Sequence, residues 1–286
     1  MFKEATIYQI TAGEIDLGAT AMQAGFTPCG PTQQISYGLV PPRAEHGELI
    51  EKIGSHLIMK LCIETKSVPA DALARALDAR VKRFVEETGI SCGKKMRREL
   101  KETVMLELLP SAFPKRKMVT LWIDMPRNRL IIGSCITGAI DCALRLMTTL
   151  IKDIVLSPLR CNIGFRQYMT HELFDNQSEV FMVGRQAELE SDDVDHTKVR
   201  YTNHSLLNED VRNHMRAGRL PTKLQLIGDK SSFVLTESGA LRKINVSIPD
   251  GGGDIEDVFE ADVVLHTSEV RSVIDSLVDD MEGVAE

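Results

Sequence analysis

Residues 69–117 read PADALARALDARVKRFVEETGISCGKKMRRELKETVMLELLPSAFPKRK. Two helices fit this stretch. Leu73, Leu77, Val81 and Phe84 recur at helical spacing, which predicts a first helix over 69–87. Pro69 suits its first turn, and Asp71 opposes the positive end of its dipole. Gly89 and Gly93 break the pattern. A second helix over 95–109 follows and is stopped by Pro110.

The flanks of this pair are β-rich. Strands are expected at 4–10, 34–40 and 55–65 before it, and at 118–124 and 129–135 after it. The helical pair is therefore expected to be an inserted, protruding subdomain. Further helices are expected at 14–24, 137–152 and 207–217, with 171–198 read as loop and edge strands. Strands at 222–227, 231–236, 241–247 and 261–266 and a helix at 268–281 complete the chain. Strands and helices are grouped without a regular βαβ rhythm, which gives an α+β class. The expected units are 1–66 with 118–165 as a central α+β domain, 67–117 as a helical tip, and 166–286 as a C-terminal α+β base.

Composition excludes several classes. The 286 residues are 43% hydrophobic and 26% charged, an ordinary globular balance. No run of 18 uncharged apolar residues suggests a membrane span. Met1-Phe2-Lys3-Glu4 does not open a signal peptide. Six scattered cysteines without CxxC spacing suggest reduced thiols in a cytoplasm.

The net charge is −7, but it is unevenly spread. Residues 249–286 carry twelve acids and one base, a net of −11. Residues 80–117 carry eleven bases and five acids, a net of +6. Binding follows local potential, because exposed charges beyond about 10 Å are largely screened. Lys94, Arg97, Arg98 and Lys101 share one face of the second helix at i, i+3, i+4, i+7, with Lys95 beside them. Met96, Leu100 and Val104 form an adjoining apolar stripe. Lys115-Arg116-Lys117 follows where the chain turns into the next strand, and Arg80, Lys82 and Arg83 add to the region. Such a row can track phosphates without reading bases; the competing reading is a solvated helix face.

Catalytic signatures are sparse. The chain has no P-loop, HExxH or GxSxG motif, and its seven histidines show no ligand spacing. Asp250, Asp254, Glu256 and Asp257 lie beside three glycines and could hold Mg²⁺ in a nuclease. They also fit a solvated acidic turn before a helix N-terminus. Cys29, in a Pro/Gly turn, has no local base to activate it. No cofactor is expected. A third possibility is a ring or scaffold whose partner is another protein.

Several ordered blocks are similar to the RdgC family of recombination-associated DNA-binding proteins. Phe26-Thr27-Pro28-Cys29-Gly30 and Gly38-Leu39-Val40-Pro41-Pro42 resemble its F-T-P-C-G and G-W-V-P-P blocks. Leu108-Leu109-Pro110-Ser111-Ala112-Phe113 resembles L-L-P-R-A-F, and Trp122-Ile123-Asp124 matches W-I-D. Asn213-His214, Ala217-Gly218-Arg219, Thr222-Lys223-Leu224 and Phe259-Glu260-Ala261-Asp262 resemble later blocks.

The resemblance implies a horseshoe-shaped subunit that closes with a second copy into a ring. Duplex DNA would pass through the positive hole, and single-stranded DNA would bind more weakly. It implies no enzymatic activity, little sequence preference, and antagonism of the recombinase RecA by occupying DNA, with RecA itself a candidate contact. The setting implied is recombination and replication-fork maintenance at the nucleoid. Phe113 would belong to a hydrophobic gate where two subunit tips meet. Arg200 and Lys223 would join the basic residues of the tip as phosphate contacts. Three positions depart from the pattern: Ser111 replaces an arginine, 200–205 is less basic than in relatives, and Leu39 replaces a tryptophan.

Overall fold

The computed structural model describes residues 2–11, 21–43, 47–247 and 255–285. Its strands are β1 (Glu4–Thr11), β2 (Ile35–Val40), β3 (Ile50–Ile53), β4 (His56–Lys66), β5 (Pro114–Asp124), β6 (Arg129–Ile132), β7 (Val155–Pro158), β8 (Met182–Ser191), β9 (Lys198–Thr202), β10 (Arg219–Ile227), β11 (Ser231–Thr236) and β12 (Leu241–Val246). Its helices are α1 (Ala70–Thr88), α2 (Lys94–Leu108), α3 (Thr137–Leu150), α4 (Phe165–Asp175), α5 (Glu209–Arg216) and α6 (Ile255–Asp280). The strands form one sheet in the order β2-β4-β5-β6-β1-β12-β11-β10-β8-β9, with β3 added on β4 and β7 on β1. The class is α+β.

Strand β1 joins two halves of this sheet. Its first residues pair with β12 (Glu4↔Arg242, Ala5↔Leu241), and the next pair with β6 (Thr6↔Ile132 to Gln9↔Arg129). The β2-to-β1 half is covered on both faces. Strand β5 shows why: Val119, Leu121 and Ile123 point to the core beneath α3, while Trp122 points to the other core, which contains α6. Helix α3 answers with Ala139, Cys142, Ala143, Leu146, Met147 and Leu150 on one face. Each fully buried Leu or Ile here contributes roughly 1.5–3 kcal/mol relative to exposure.

Helix α6 packs Val263, Val270, Ile274 and Leu277 into the core that both halves share. Polar contacts fix it to the first half. The Arg271 guanidinium donates to the buried Asp124 carboxylate, and Asp275 accepts from Arg127 and Arg129.

The α1–α2 hairpin leaves the sheet between adjacent strand ends, since Lys66 and Pro114 are cross-strand partners. The helices pack mainly on one another through Leu73, Leu77 and Val104. Gly89 ends α1 at φ 67°, a left-handed turn that favours glycine, and its N–H bonds the Val85 carbonyl.

The structure corrects three local expectations. The segment 261–266 is not a strand: it lies inside α6, where Val263 is fully buried by packing. The segment 171–198 is not mainly loop and edge strand. It holds the second half of α4, from His171 to Asp175, and all of β8, which lies between β10 and β9. Lys115, Arg116 and Lys117 do not precede the strand; they lie within β5. Of the helix expected at 14–24, only a 3-10 turn at Ala21–Ala24 is described, and 12–20 lie outside the described residues.

Candidate nucleic-acid interface

The basic residues of α2 lie on an exposed helix face, but they are not equivalent. Arg97 reaches across the hairpin to Asp78 on α1 at 2.7 Å, and Arg98 pairs with Glu102 one turn on at 3.3 Å. Such exposed pairs contribute about 0–1 kcal/mol, so a phosphate can compete for either guanidinium. Lys94, Lys95 and Lys101 are exposed and have no carboxylate partner among the described residues. The stripe therefore offers three unpaired ammonium groups and two guanidinium groups with local counter-charges.

On β5 the cations alternate. Lys115 and Lys117 are exposed and have no carboxylate partner among the described residues, and Lys117 donates to the Ser134 hydroxyl at 3.1 Å. Arg116 projects from the opposite face onto Glu64 of β4, its cross-strand neighbour, at 2.7 Å. Glu64 is only 1% exposed. Its other oxygen accepts the Cys29 backbone N–H at 2.8 Å. The hydrogen bond from Arg116, then that from Cys29, holds the Glu64 carboxyl below its ordinary range. The Arg116 guanidinium also lies over the Phe26 ring, 5.2 Å from its centroid.

This contact gives the Phe26–Gly30 turn a physical role. The turn docks on β2, with the Phe26 N–H bonded to the Leu39 carbonyl. Gly38 permits that approach, because a Cβ there would lie 2.6 Å from Phe26 Cα. Turn, β2, β4 and the Arg116 side chain thus form one braced unit beneath the exposed lysines of β5.

Phe113 lies between the short 3-10 turn Leu109–Ser111 and the start of β5, and it is 89% exposed. Leu109, fully buried, anchors the turn, while Phe113 finds no cover among the described residues.

Arg200 and Lys223 lie far along the sheet from the hairpin, on β9 and β10. They flank Glu188 of β8, the register partner of both. Both bond its carboxylate, Arg200 at 2.7 Å and Lys223 at 2.9 Å. Burial alone would raise this carboxyl, but the hydrogen bonds from Lys223 and Arg200 outweigh it and hold it down. The three side chains line a concavity of about 440 Å³ with Glu4, Arg242 and Lys243. Two cations on one anion leave a local excess of one positive charge.

The structure thus places the expected residues in two groups, hairpin with β5 and the β8–β10 face. Sequence reading missed the two carboxylates, Glu64 and Glu188, that orient three of these cations. It also missed Arg242 and Lys243 beside Lys223. Sheet alternation could have placed those two on an exposed strand, whereas the carboxylate partners depend on strand order.

The acidic cluster is not tested by these contacts. Asp250 and Asp254 lie outside the described residues; Glu256 and Asp257 fall in the first turn of α6, their side chains outside the described set. Among the described residues, no group of three or more His, Cys, Asp or Glu could hold a metal ion. No described helix is long and apolar enough to cross a membrane.

A family model described as "Putative exonuclease, RdgC" matches residues 1–284. Among curated relatives, the recombination-associated protein RdgC of Herminiimonas arsenicoxydans is 30% identical, over 99% of this chain and 98% of its own. That of Janthinobacterium sp. (strain Marseille) is 28% identical over 100% of this chain and 99% of its own. That of Mannheimia succiniciproducens is 27% identical over 99% and 97%. The family match and these relatives extend over nearly the whole chain, hairpin and sheet alike, and the chain belongs to the RdgC family of recombination-associated proteins.

Proposed function

We propose that the protein binds DNA without sequence preference, as a ring of two subunits around the duplex, and that it limits loading of a RecA-type recombinase. It does so in recombination and replication-fork maintenance, as a cytoplasmic, nucleoid-associated protein without cofactor or catalytic step. The observation that carries this reading is the run of exposed lysines 94, 95, 101, 115 and 117 on the hairpin and β5, without carboxylate partners among the described residues. Unpaired cations in a row release counterions from DNA whatever its sequence. The relatives' name supplies the recombination setting.

In this reading each subunit is a horseshoe. Residues 1–66 with 118–165 form its centre, 67–117 its tip and 166–286 its base. Exposed Phe113 residues meet across the two tips and close the ring. Occupied duplex is then denied to RecA by exclusion, with or without direct contact. The acid-rich C-terminal segment lies outside the hole, since it would repel phosphate.

Retention on circular DNA tests the reading. A closed ring loaded on a nicked circle resists a high-salt wash and is released when the circle is linearised. Equal loss from circle and line before cutting would exclude encirclement.

The family's description as an exonuclease favours a second reading, a nuclease. The carboxylates at 250–257 are its candidate metal ligands. Plasmid incubated with purified protein and Mg²⁺ separates the two: intact plasmid is expected, and cutting abolished by Glu256→Gln with Asp257→Asn would install the nuclease instead.

A further inference from the structure

One concavity outside the two cationic groups gathers residues that phosphate tracking does not use. It has a volume of about 530 Å³ and is lined by Tyr201, His204, Asp210, Asn213, His214 and Arg219. Asn213, His214 and Arg219 belong to sequence blocks that the DNA account leaves without a task. Strand β9, helix α5 and the start of β10 converge there.

The hydrogen bonds fix what each group can offer. His204 Nδ1 lies 2.7 Å from the Ser205 carbonyl, so it carries the proton, and neutral His204 presents Nε2 as an acceptor. His214 Nδ1 faces the Arg219 guanidinium at 3.5 Å, so it accepts, and its Nε2–H is left as a donor. Asn213 Oδ1 accepts from Arg216 at 3.1 Å, which leaves its NH₂ group as a donor. Asp210 is exposed and Arg219 half-buried, and neither forms an ion pair among the described residues. The Tyr201 hydroxyl is sealed from solvent, so the ring is the part of Tyr201 that lines the hollow. Its neighbours are His204 at 5.4 Å between centroids and His214 at 6.3 Å.

Donors from Arg219, His214 and Asn213, acceptors on His204 and Asp210, and an aromatic wall together suit few ligands. A bare phosphate would use the donors but meet the Asp210 charge. An apolar ligand would strand every polar group. A nucleobase has donors and acceptors on its edge and a π-face for stacking.

Position supports the same ligand. Tyr201 follows Arg200 on β9, and successive side chains of a strand point to opposite faces. Strand β9 is the last in the sheet order. A nucleotide whose phosphate rests on Arg200 can therefore turn around the sheet edge and place its base at Tyr201. A paired base is held in the duplex stack and cannot.

We propose that this concavity receives one unpaired nucleobase of single-stranded or gapped DNA. The proposal rests on the reading that the protein binds DNA, and adds a site that duplex binding does not require. It gives the protein a means of holding a strand at a gap or junction, where a recombinase would load.

The test compares three fluorescent ligands at equal length: a single-stranded oligonucleotide, the same phosphodiester chain made of abasic residues, and a duplex. Native protein should bind the base-bearing strand about tenfold more tightly than the abasic chain, in keeping with one stacked base. His204→Ala with Asp210→Ala, both exposed and so safe for the fold, should reduce that preference severalfold, the Tyr201 ring remaining, and leave duplex affinity unchanged. Equal binding of the two single strands by native protein, with duplex binding intact, overturns the pocket alone. An undiminished preference in the double variant also overturns it. Failure to bind all three ligands overturns the DNA reading, and the pocket with it.

Discussion

Arg116 rests on Glu64, its Nε 2.7 Å from a carboxylate oxygen that solvent barely reaches. Because the same carboxylate holds the Cys29 N–H, one buried charge ties a surface cation to the turn that docks on β2. The carboxyl is held below its ordinary range. A depressed carboxyl contributes stability that is fully present above its unfolded value, about 4.3, and is lost as pH falls through its lower folded value. The urea midpoint of Glu64→Gln should therefore lie below that of the native protein by a constant amount from pH 7 to about 5. The gap should narrow below about pH 4. A gap of the same size at pH 7 and pH 3 would mean that the ion pair is not its source.

Glu188 holds Arg200 and Lys223 together and, in the proposed reading, competes with DNA for both. Glu188→Gln should tighten duplex binding severalfold in a fluorescence anisotropy titration, because a neutral amide releases two cations. The same change removes hydrogen bonds to a charge, and chemical denaturation should show a loss of about 1–2 kcal/mol. Weaker DNA binding by a folded Glu188→Gln protein would show that the carboxylate orients the cations for DNA.

The three unpaired lysines of α2 give a quantitative expectation. Lys94→Ala, Lys95→Ala and Lys101→Ala combined should leave the melting temperature unchanged, since all three side chains are exposed. If each lysine meets a phosphate, the log–log salt dependence should become shallower by about 2–3 units. The loss of affinity should exceed that of Arg97→Ala with Arg98→Ala, whose guanidinium groups already have acidic neighbours. An unchanged slope would identify this stripe as a solvated face.

Phe113 is exposed, so its truncation should cost the isolated subunit less than about 0.5 kcal/mol of stability. At an interface a well-packed aromatic contributes about 2 kcal/mol or more to association. Phe113→Ser should accordingly shift the dimer to monomer in sedimentation and weaken retention on circular DNA more than on short linear DNA. Unchanged dimerisation would remove Phe113 from the gate.

Local patterns made much of the fold legible. The α1–α2 hairpin is read from apolar spacing, Gly89 and Pro110, and β1 from its alternation. Errors arose where tertiary packing overrides local preference. Val263 and Val264 made the first half of α6 look β-prone, although Val263, Val270, Ile274, Leu277 and Met281 already carry a helical stripe. In β8, Glu188 and Glu190 suggested a surface loop; Glu188 is in fact enclosed because cations on both neighbouring strands meet it. The candidate site divides in the same way. The α2 stripe is visible in its spacing, whereas the pairing of Arg116 with Glu64, 52 residues apart, depends on strand order.

The central claim is binding driven by phosphate charge and blind to sequence. The direct measurement is the affinity of the native protein for two unrelated duplexes of equal length across a salt series. With six or more phosphate contacts, both affinities should fall together by about a thousandfold between about 50 and 200 mM salt. A nearly flat salt response, or a strong preference for one duplex throughout the series, would contradict the account.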